Sequence, residues 1–303
     1  MSVPTIYNQI SANRNKSWLI MFLFTAFILM VGYVFALALG YQGPGALGIV
    51  GFALVFAGLM NLVSYYFSDQ VVIALSGAKQ IKEGDAQELY HLVENLSIGA
   101  GLPMPKVYII EDDAPNAFAT GRDPKHAALA VTTGLLAIMD KLELEGVVAH
   151  ELSHIKNYDT RLMAVVVVLV GLVAILADIF LRITWFGGRD REENKGSGII
   201  FVAAIILAIL APIVAQLIKL AISRRREFLA DASGALLTRY PEGLANALLK
   251  IGSYNKPMAN ASTATAHLYI SNPFKDKKAA SWFVNLFNTH PTIEERVAAL
   301  RAM

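Results

Sequence analysis

Between residues 17 and 68 the chain carries no Asp, Glu, Lys or Arg. A bilayer core takes about 20 apolar residues per helical crossing, so this run is long enough for two. Residues 40–45, rich in Gly and Pro, break it where a tight turn belongs. Inside lipid the backbone must satisfy its own hydrogen bonds, which leaves a helical hairpin over residues 17–40 and 46–67 as the expected structure. Composition points the same way: 55% of residues are hydrophobic, 17% are charged and the mean hydropathy is +0.49, values beyond those of an ordinary soluble domain. Ala36 and Ala38 resemble a cleavage site for a signal peptide, but a second apolar run follows directly, so both spans are expected to be retained. The lipid bilayer is therefore one partner. Nucleic acid is not, because the formal net charge is only +2 and no basic face interleaved with aromatics is visible.

Basic residues set the orientation. Arg14 and Lys16 precede the first span, the connector has none, and Lys79 and Lys82 follow the second, which places the N-terminus and the chain after residue 69 in the cytoplasm. A second apolar pair is expected at 162–177 and 199–218, with Asp178 and Arg182 four apart at the end of the first and Pro212 inside the second. Arg189, Arg191 and Lys195 stand in the connector between them beside Asp190, Glu192 and Glu193, so a hairpin lying in the membrane plane stays open. The expected parts are thus 1–69 with the first hairpin, 70–161 and 219–303 as two halves of a catalytic domain, and 162–218 as a second hairpin inserted between them.

The chemistry sits at residues 148–159, V-A-H-E-L-S-H-I-K-N-Y-D. One helical turn separates His150 from His154, so both imidazoles share a face and can grip one zinc ion while Glu151 points at the water the metal polarises. Each residue type has its reason: neutral imidazole binds zinc well, zinc lowers the pKa of its water, and a carboxylate can then take the proton. Apolar flanks at Leu142, Leu144, Val147, Val148, Leu152 and Ile155 half-bury the helix, and a polar face inside it wants a purpose. The chain has no cysteine, which excludes thiolate sites and cysteine nucleophiles and leaves histidine and carboxylate as ligands. This helix is expected to continue past Arg161 into the third apolar run.

A catalytic zinc needs a third protein ligand. After the fourth apolar run, Arg225-Arg226-Glu227-Phe228-Leu229-Ala230-Asp231 sets Glu227 and Asp231 on one helical face; Glu227 can bind zinc while Asp231 holds the outer nitrogen of a ligand histidine. The competing reading is that these acids balance the neighbouring arginines. His154 precedes Leu162 by eight residues and Glu227 follows Ile218 by nine, so at 1.5 Å per residue both would stand roughly 12 to 14 Å outside the apolar runs. An antiparallel hairpin would bring them level.

Residues 70–101 read as helical, and 106–110, 117–120 and 127–133 as a small antiparallel sheet. The small side chains around Asn116, Ala117, Phe118 and Ala119 suit an edge strand that pairs with an extended peptide, or equally an ordinary inner strand. Residues 255–278 are polar enough to predict a mobile loop, 281–288 a short amphipathic turn, and 292–302 a terminal helix with Glu294 and Glu295 in its first turn. His290 precedes that helix and could donate to the oxyanion of peptide hydrolysis, although a packing histidine fits the same position.

Four stretches, N-A-F-A-T-G at 116–121, H-E-L-S-H-I-K-N-Y-D at 150–159, R-R-R-E-F-L-A-D at 224–231 and T-H-P-T-I-E-E-R at 289–296, occur in the order seen in the HtpX-like membrane zinc metallopeptidases, and the likeness covers nearly the whole chain. The resemblance implies a mainly α membrane protein with a small β-sheet: two transmembrane helical hairpins and a zincin-like cytoplasmic catalytic domain with a gluzincin-type site. It implies one zinc per subunit on His150, His154 and Glu227, Glu151 as general base, Asp231 as support, the substrate strand at 116–120, and a counterpart for His290 in the family's H-P motif. It further implies polypeptide substrates, chiefly damaged or misfolded membrane proteins under quality control, and a bacterial inner-membrane location. The prenyl-protein peptidases share the zinc motif but match less in length and spans. A non-hydrolytic zinc transporter or sensor is the competing function; Glu151, which a mere metal site does not need, and the uncharged spans argue against it.

Overall fold

The computed structural model describes residues 6–38, 41–186, 223–259, 261–262, 264–274 and 291–303. The expected fourth span and its connector, the amphipathic turn at 281–288, and His290 lie outside these. Within them the chain runs α1 (Ile6–Ala38), α2 (Pro44–Tyr66), α3 (Ser68–Ser76), β1 (Lys79–Gln80), α4 (Gln87–Ala100), β2 (Lys106–Ile110), β3 (Ala117–Gly121), β4 (Ala127–Thr132), α5 (Thr133–Ile138), α6 (Lys141–Lys156), α7 (Asp159–Phe186), α8 (Arg224–Thr238), α9 (Pro241–Ser253) and α10 (Ile293–Arg301), with short 3-10 turns at Pro124–His126 and Ala266–Leu268.

Two helices, over Ile10–Leu37 and Pro44–Tyr66, are long and apolar enough to cross a membrane. Their outer faces expose Phe22, Leu47, Phe52 and Val55, which is what lipid contact requires. Between them Gly32 lies where a Cβ would stand 2.9 Å from that of Ala53, and Asn61 donates to Thr25 Oγ1 at 2.8 Å; small residues and a polar clasp are how helices associate where lipid removes the hydrophobic drive. α1 also starts well before the apolar run, and Asn13 in its polar first turns reaches Asn157 and Asp159.

α7 differs from the expected third span in its surroundings. From Leu162 to Val170 every side chain is buried, against Phe24, Phe27, Ala57 and Phe118 among others, and Ser64 donates to Val165 O. Protein, not lipid, encloses the first half of this helix. Nor does it continue α6. The helix ends at Lys156, Tyr158 adopts a left-handed φ of 59°, and α7 leaves at 80°. A straight rise at 1.5 Å per residue therefore does not describe the height of His154 above the membrane.

The sheet is mixed, in the order β1-β2-β4-β3. β3 pairs antiparallel with β4, but β2 pairs parallel with β4, correcting the expected all-antiparallel sheet. Residues 111–116 carry the chain past the middle position, so β3 takes the edge and β4 returns into the gap. β3 and β4 are buried along their whole length, as strands covered on both faces are. The loop expected to be mobile is packed in its described part: Leu268, Tyr269 and Ile270 are buried, and Ile270 N–H donates to Ala117 O. Its polar composition hid one apolar anchor.

α6 begins at a capping box, with Asp140 and Glu143 each accepting from the other's backbone N–H. It lies so close to α9 that a Cβ at Gly146 would stand 2.6 Å from Leu244 N. Gly146→Ala is expected to cost about 1–3 kcal/mol by overpacking, against a gain of about 1 kcal/mol in helix propensity. Thermal unfolding in detergent should show a lower midpoint.

Candidate active site

α6 presents His150, Glu151 and His154, and α8 presents Glu227 and Asp231. Gly234 of α8 sits on the α6 backbone, where a Cβ would be 3.0 Å from His150 N. That close approach brings Glu227 to both imidazoles: His150 Nε2 is 3.8 Å from Glu227 Oε2, His154 Nε2 is 3.6 Å from Glu227 Oε1, and the two Nε2 atoms are 3.2 Å apart. A tetrahedral ion with bonds near 2.0–2.1 Å sets its ligands roughly 3.3–3.4 Å apart. The donors already stand near that spacing.

The outer nitrogens fix what the inner ones can be. His150 Nδ1 is 2.9 Å from Asp231 Oδ1 and His154 Nδ1 is 3.0 Å from Asp159 Oδ2. Ionised carboxylates only accept, so each Nδ1 carries a proton and the two Nε2 atoms face each other. At 3.2 Å they can share a proton held by His154, or a metal cation in its place. Each aspartate has its own arginine: Arg296 donates to Asp231 through Nε at 2.9 Å and Nη2 at 2.6 Å, and Arg226 Nε is 3.3 Å from Asp159. All these groups are buried. With neutral imidazoles, the carboxylates Glu151, Glu227, Asp159 and Asp231 face the guanidinium groups of Arg226 and Arg296, a deficit of two positive charges, which a divalent cation supplies.

The field acts on protons in the same sense. Burial opposes charge on His154, yet its bond to Asp159 and the charges of Glu227, Asp159 and Glu151 raise its pKa to about 9. His150, where burial and the Arg296 charge dominate, is held below the usual value. Burial pushes Glu151 up to about 7, with Glu227 adding to the rise, while His154, Arg296 and a hydrogen bond from the Ala119 N–H oppose it. A carboxylate near 7 can both accept and return a proton at neutral pH.

The profile of Peptidase family M48 matches residues 83–303. The chain belongs to that family. The similarity to relatives extends over nearly the whole chain: "Protease HtpX homolog" of Dictyoglomus thermophilum is 46% identical over 99% of this chain and 95% of its own length, that of Caldanaerobacter subterraneus 45% over 100% and 99%, and that of Tropheryma whipplei 46% over 98% of each. The crystal structure of S. mikatae Ste24p overlaps with a TM-score of 0.48 at 17% identity, covering 97% of this chain and 67% of that one. The chain is thus an HtpX-like, membrane-bound metallopeptidase of family M48, and His150, His154 and Glu227 form its group of donors able to hold a metal among the described residues.

The expected substrate strand lies beside this centre through its backbone. Ala119 N–H points outward to Glu151 and Ala117 O accepts from Ile270 N–H at 3.0 Å. The side chains go elsewhere: Phe118 is buried against Tyr269 with ring centroids 5.2 Å apart, and Asn116 clasps the Ser271 backbone.

Asp159, Arg226, Arg296 and Asn13 escaped the sequence reading. In an unbroken helix, Asp159 at i+5 from His154 would sit about 140° around the axis. The turn at Asn157–Tyr158 folds it back onto the ring. Asn13 of α1 secures that turn, donating to Asn157 O at 3.0 Å and Asp159 Oδ1 at 2.7 Å, so the first membrane helix reaches the outer shell of the site. Asp159→Asn is expected to weaken metal binding about 10–100-fold, the usual cost of losing an outer partner of a ligand histidine. Competition with a chromophoric chelator measures it.

Proposed function

We propose that the metal is zinc, one per subunit, held by His150, His154 and Glu227, and that the protein is an endopeptidase of the bacterial inner membrane whose site faces the cytoplasm and cuts misfolded or damaged membrane proteins. The spacing of the three donors carries this reading. Two neutral imidazoles and one carboxylate are a donor set that suits zinc and leaves a position open for catalysis. When bound, zinc supplies a Lewis acid and water acidified toward neutrality.

The chain's own groups then have these tasks. Glu151 takes a proton from the attacking water and returns it to the leaving amine nitrogen. An extended substrate pairs with the β3 edge at Ala119, beyond Ala117 O, which Ile270 N–H already engages. Asp231 and Asp159 keep the protons of His150 and His154 on Nδ1, leaving Nε2 free to coordinate. Membrane-protein substrates are supported by the reach of α1 into the outer shell, which keeps the cleft at the bilayer surface. His290 retains the role of oxyanion donor as a proposal from the motif alone.

Because the chain lacks cysteine, single cysteines at Gly45 and Lys156 report orientation without background. Labelling from opposite sides, with the Lys156 position reached from the cytoplasm, is expected. Labelling of both from one side would overturn the topology. Activity removed by 1,10-phenanthroline should return with stoichiometric Zn²⁺ and not with Mg²⁺; recovery with Mg²⁺ would overturn the choice of metal.

A further inference from the structure

At the end of the sheet where β2 and β4 begin, a cleft of about 370 Å³ opens beside the end of α2, lined by Tyr66, Phe67, Lys106, Arg122, Lys125 and His126 with Asp69 and Gln70 at its side. Three permanent cations face one lining carboxylate. Asp123 nearby is engaged by the Lys125 and His126 N–H groups and the His126 ring, and its Oδ2 stands 3.6 Å from Arg122 Nε. Among the described residues neither Lys106 nor Lys125 stands in an ion pair. Two lysines without an ion pair, beside an arginine whose charge is shared with Asp123, favour an anionic guest in an open cleft.

The depth of the cleft says which anion. Tyr66 is the last residue of an apolar span, and Arg122 donates to its carbonyl at 3.0 Å with the guanidinium 5.3 Å from its ring. Arg161 lies 5.3 Å from the Tyr65 ring, on which Trp18 stacks at 5.7 Å. Aromatic rings with arginines at the end of a span mark the headgroup level of a bilayer. Below the cleft, Tyr66, Leu62, Leu59, Val55 and Phe52 are all exposed and recur at alternating steps of four and three, which lays them in one stripe along α2. A polar cleft continuous with an apolar stripe has the shape of a lipid: phosphate above, acyl chain below.

We propose that this cleft binds the phosphate headgroup of an anionic phospholipid, held by Lys106, Arg122 and Lys125, with an acyl chain along the exposed stripe of α2. Occupancy would brace the tight turn after β3, where Gly121 has a φ of 127° and a Cβ would collide with the His126 carbonyl. β3 is also the strand whose Ala119 N–H meets Glu151.

The test uses full-length protein in phosphatidylcholine nanodiscs, adding fluorescent phosphatidylglycerol and comparing wild type with Lys106→Gln/Lys125→Gln. Both lysines are exposed, and unchanged zinc content checks that the double variant is folded. Each basic residue near a membrane surface is worth roughly 5-fold in anionic-lipid affinity, so the pair should lose roughly 25-fold. Unlabelled phosphatidylglycerol should displace the probe, while phosphatidylcholine and inorganic phosphate should not at equal concentration. Equal displacement by inorganic phosphate would make this a free-anion site and overturn the lipid assignment. Retention in the double variant, or equal binding of phosphatidylcholine, would overturn the proposal altogether.

Discussion

Glu227→Ala should leave the purified protein without stoichiometric zinc and without peptidase activity. Glu227 is the only donor that α8 adds to the pair on α6 among the described residues, and its carboxylate oxygens stand 3.8 Å and 3.6 Å from the two Nε2 atoms. Removing it leaves two imidazoles at a position that needs three protein ligands. The loss should exceed the roughly 100-fold that marks the upper range for an outer-shell partner. Part of the effect is electrostatic, because Arg296 Nη1 lies 3.7 Å from Glu227 Oε2 and its buried charge would lose a partner, which weakens the fold as well. Glu227→Gln separates the two: it keeps the shape, and should weaken zinc while the protein stays folded. Metal analysis of both variants, with circular dichroism beside it, measures this. Full zinc occupancy in Glu227→Ala would remove Glu227 from the ligand set.

Glu151→Gln should bind zinc as the wild type does and yet cut nothing detectable. The amide keeps the volume of the side chain but cannot take a proton, and general-base catalysis is worth about 10²–10⁴-fold in rate. Glu151 is buried with its pKa raised to about 7, so below that range its carboxyl holds a proton and the base is lost. Wild-type activity should therefore fall as pH is lowered through the Glu151 titration. Single-turnover cleavage across pH on matched preparations measures both. A variant that cuts at wild-type rate would move the proton transfer to another group.

Much of this was readable from local pattern. An absence of charge over residues 17–68 suffices for a hairpin because lipid tolerates few backbone solutions, and His150 with His154 needs only a helical turn to share a face. Glu227 was reachable by its composition and place after an apolar run, although the height argument that supported it assumed a straight α6–α7 helix. The meeting of α6 and α8 rests instead on Gly234 against the His150 backbone. What was not readable depended on breaks and distant partners. Asp159 is in the same motif as His154, but only the left-handed Tyr158 turns it inward. Arg296 reaches Asp231 from α10, and Asn13 reaches Asp159 from α1, across sequence separations for which no period exists. The parallel pairing of β2 with β4 is likewise a matter of which strand fills a gap, not of any strand's own pattern.

The most direct test of the account is a zinc titration of metal-free wild type and Glu151→Gln, reading metal uptake with a competing chromophoric chelator and casein cleavage on the same samples. Both proteins should take up one zinc per chain with similar affinity, wild-type cleavage should rise in proportion to occupancy, and Glu151→Gln should stay silent at full occupancy. Wild-type cleavage that does not follow zinc occupancy, or a Glu151→Gln variant that cuts once loaded, would contradict it.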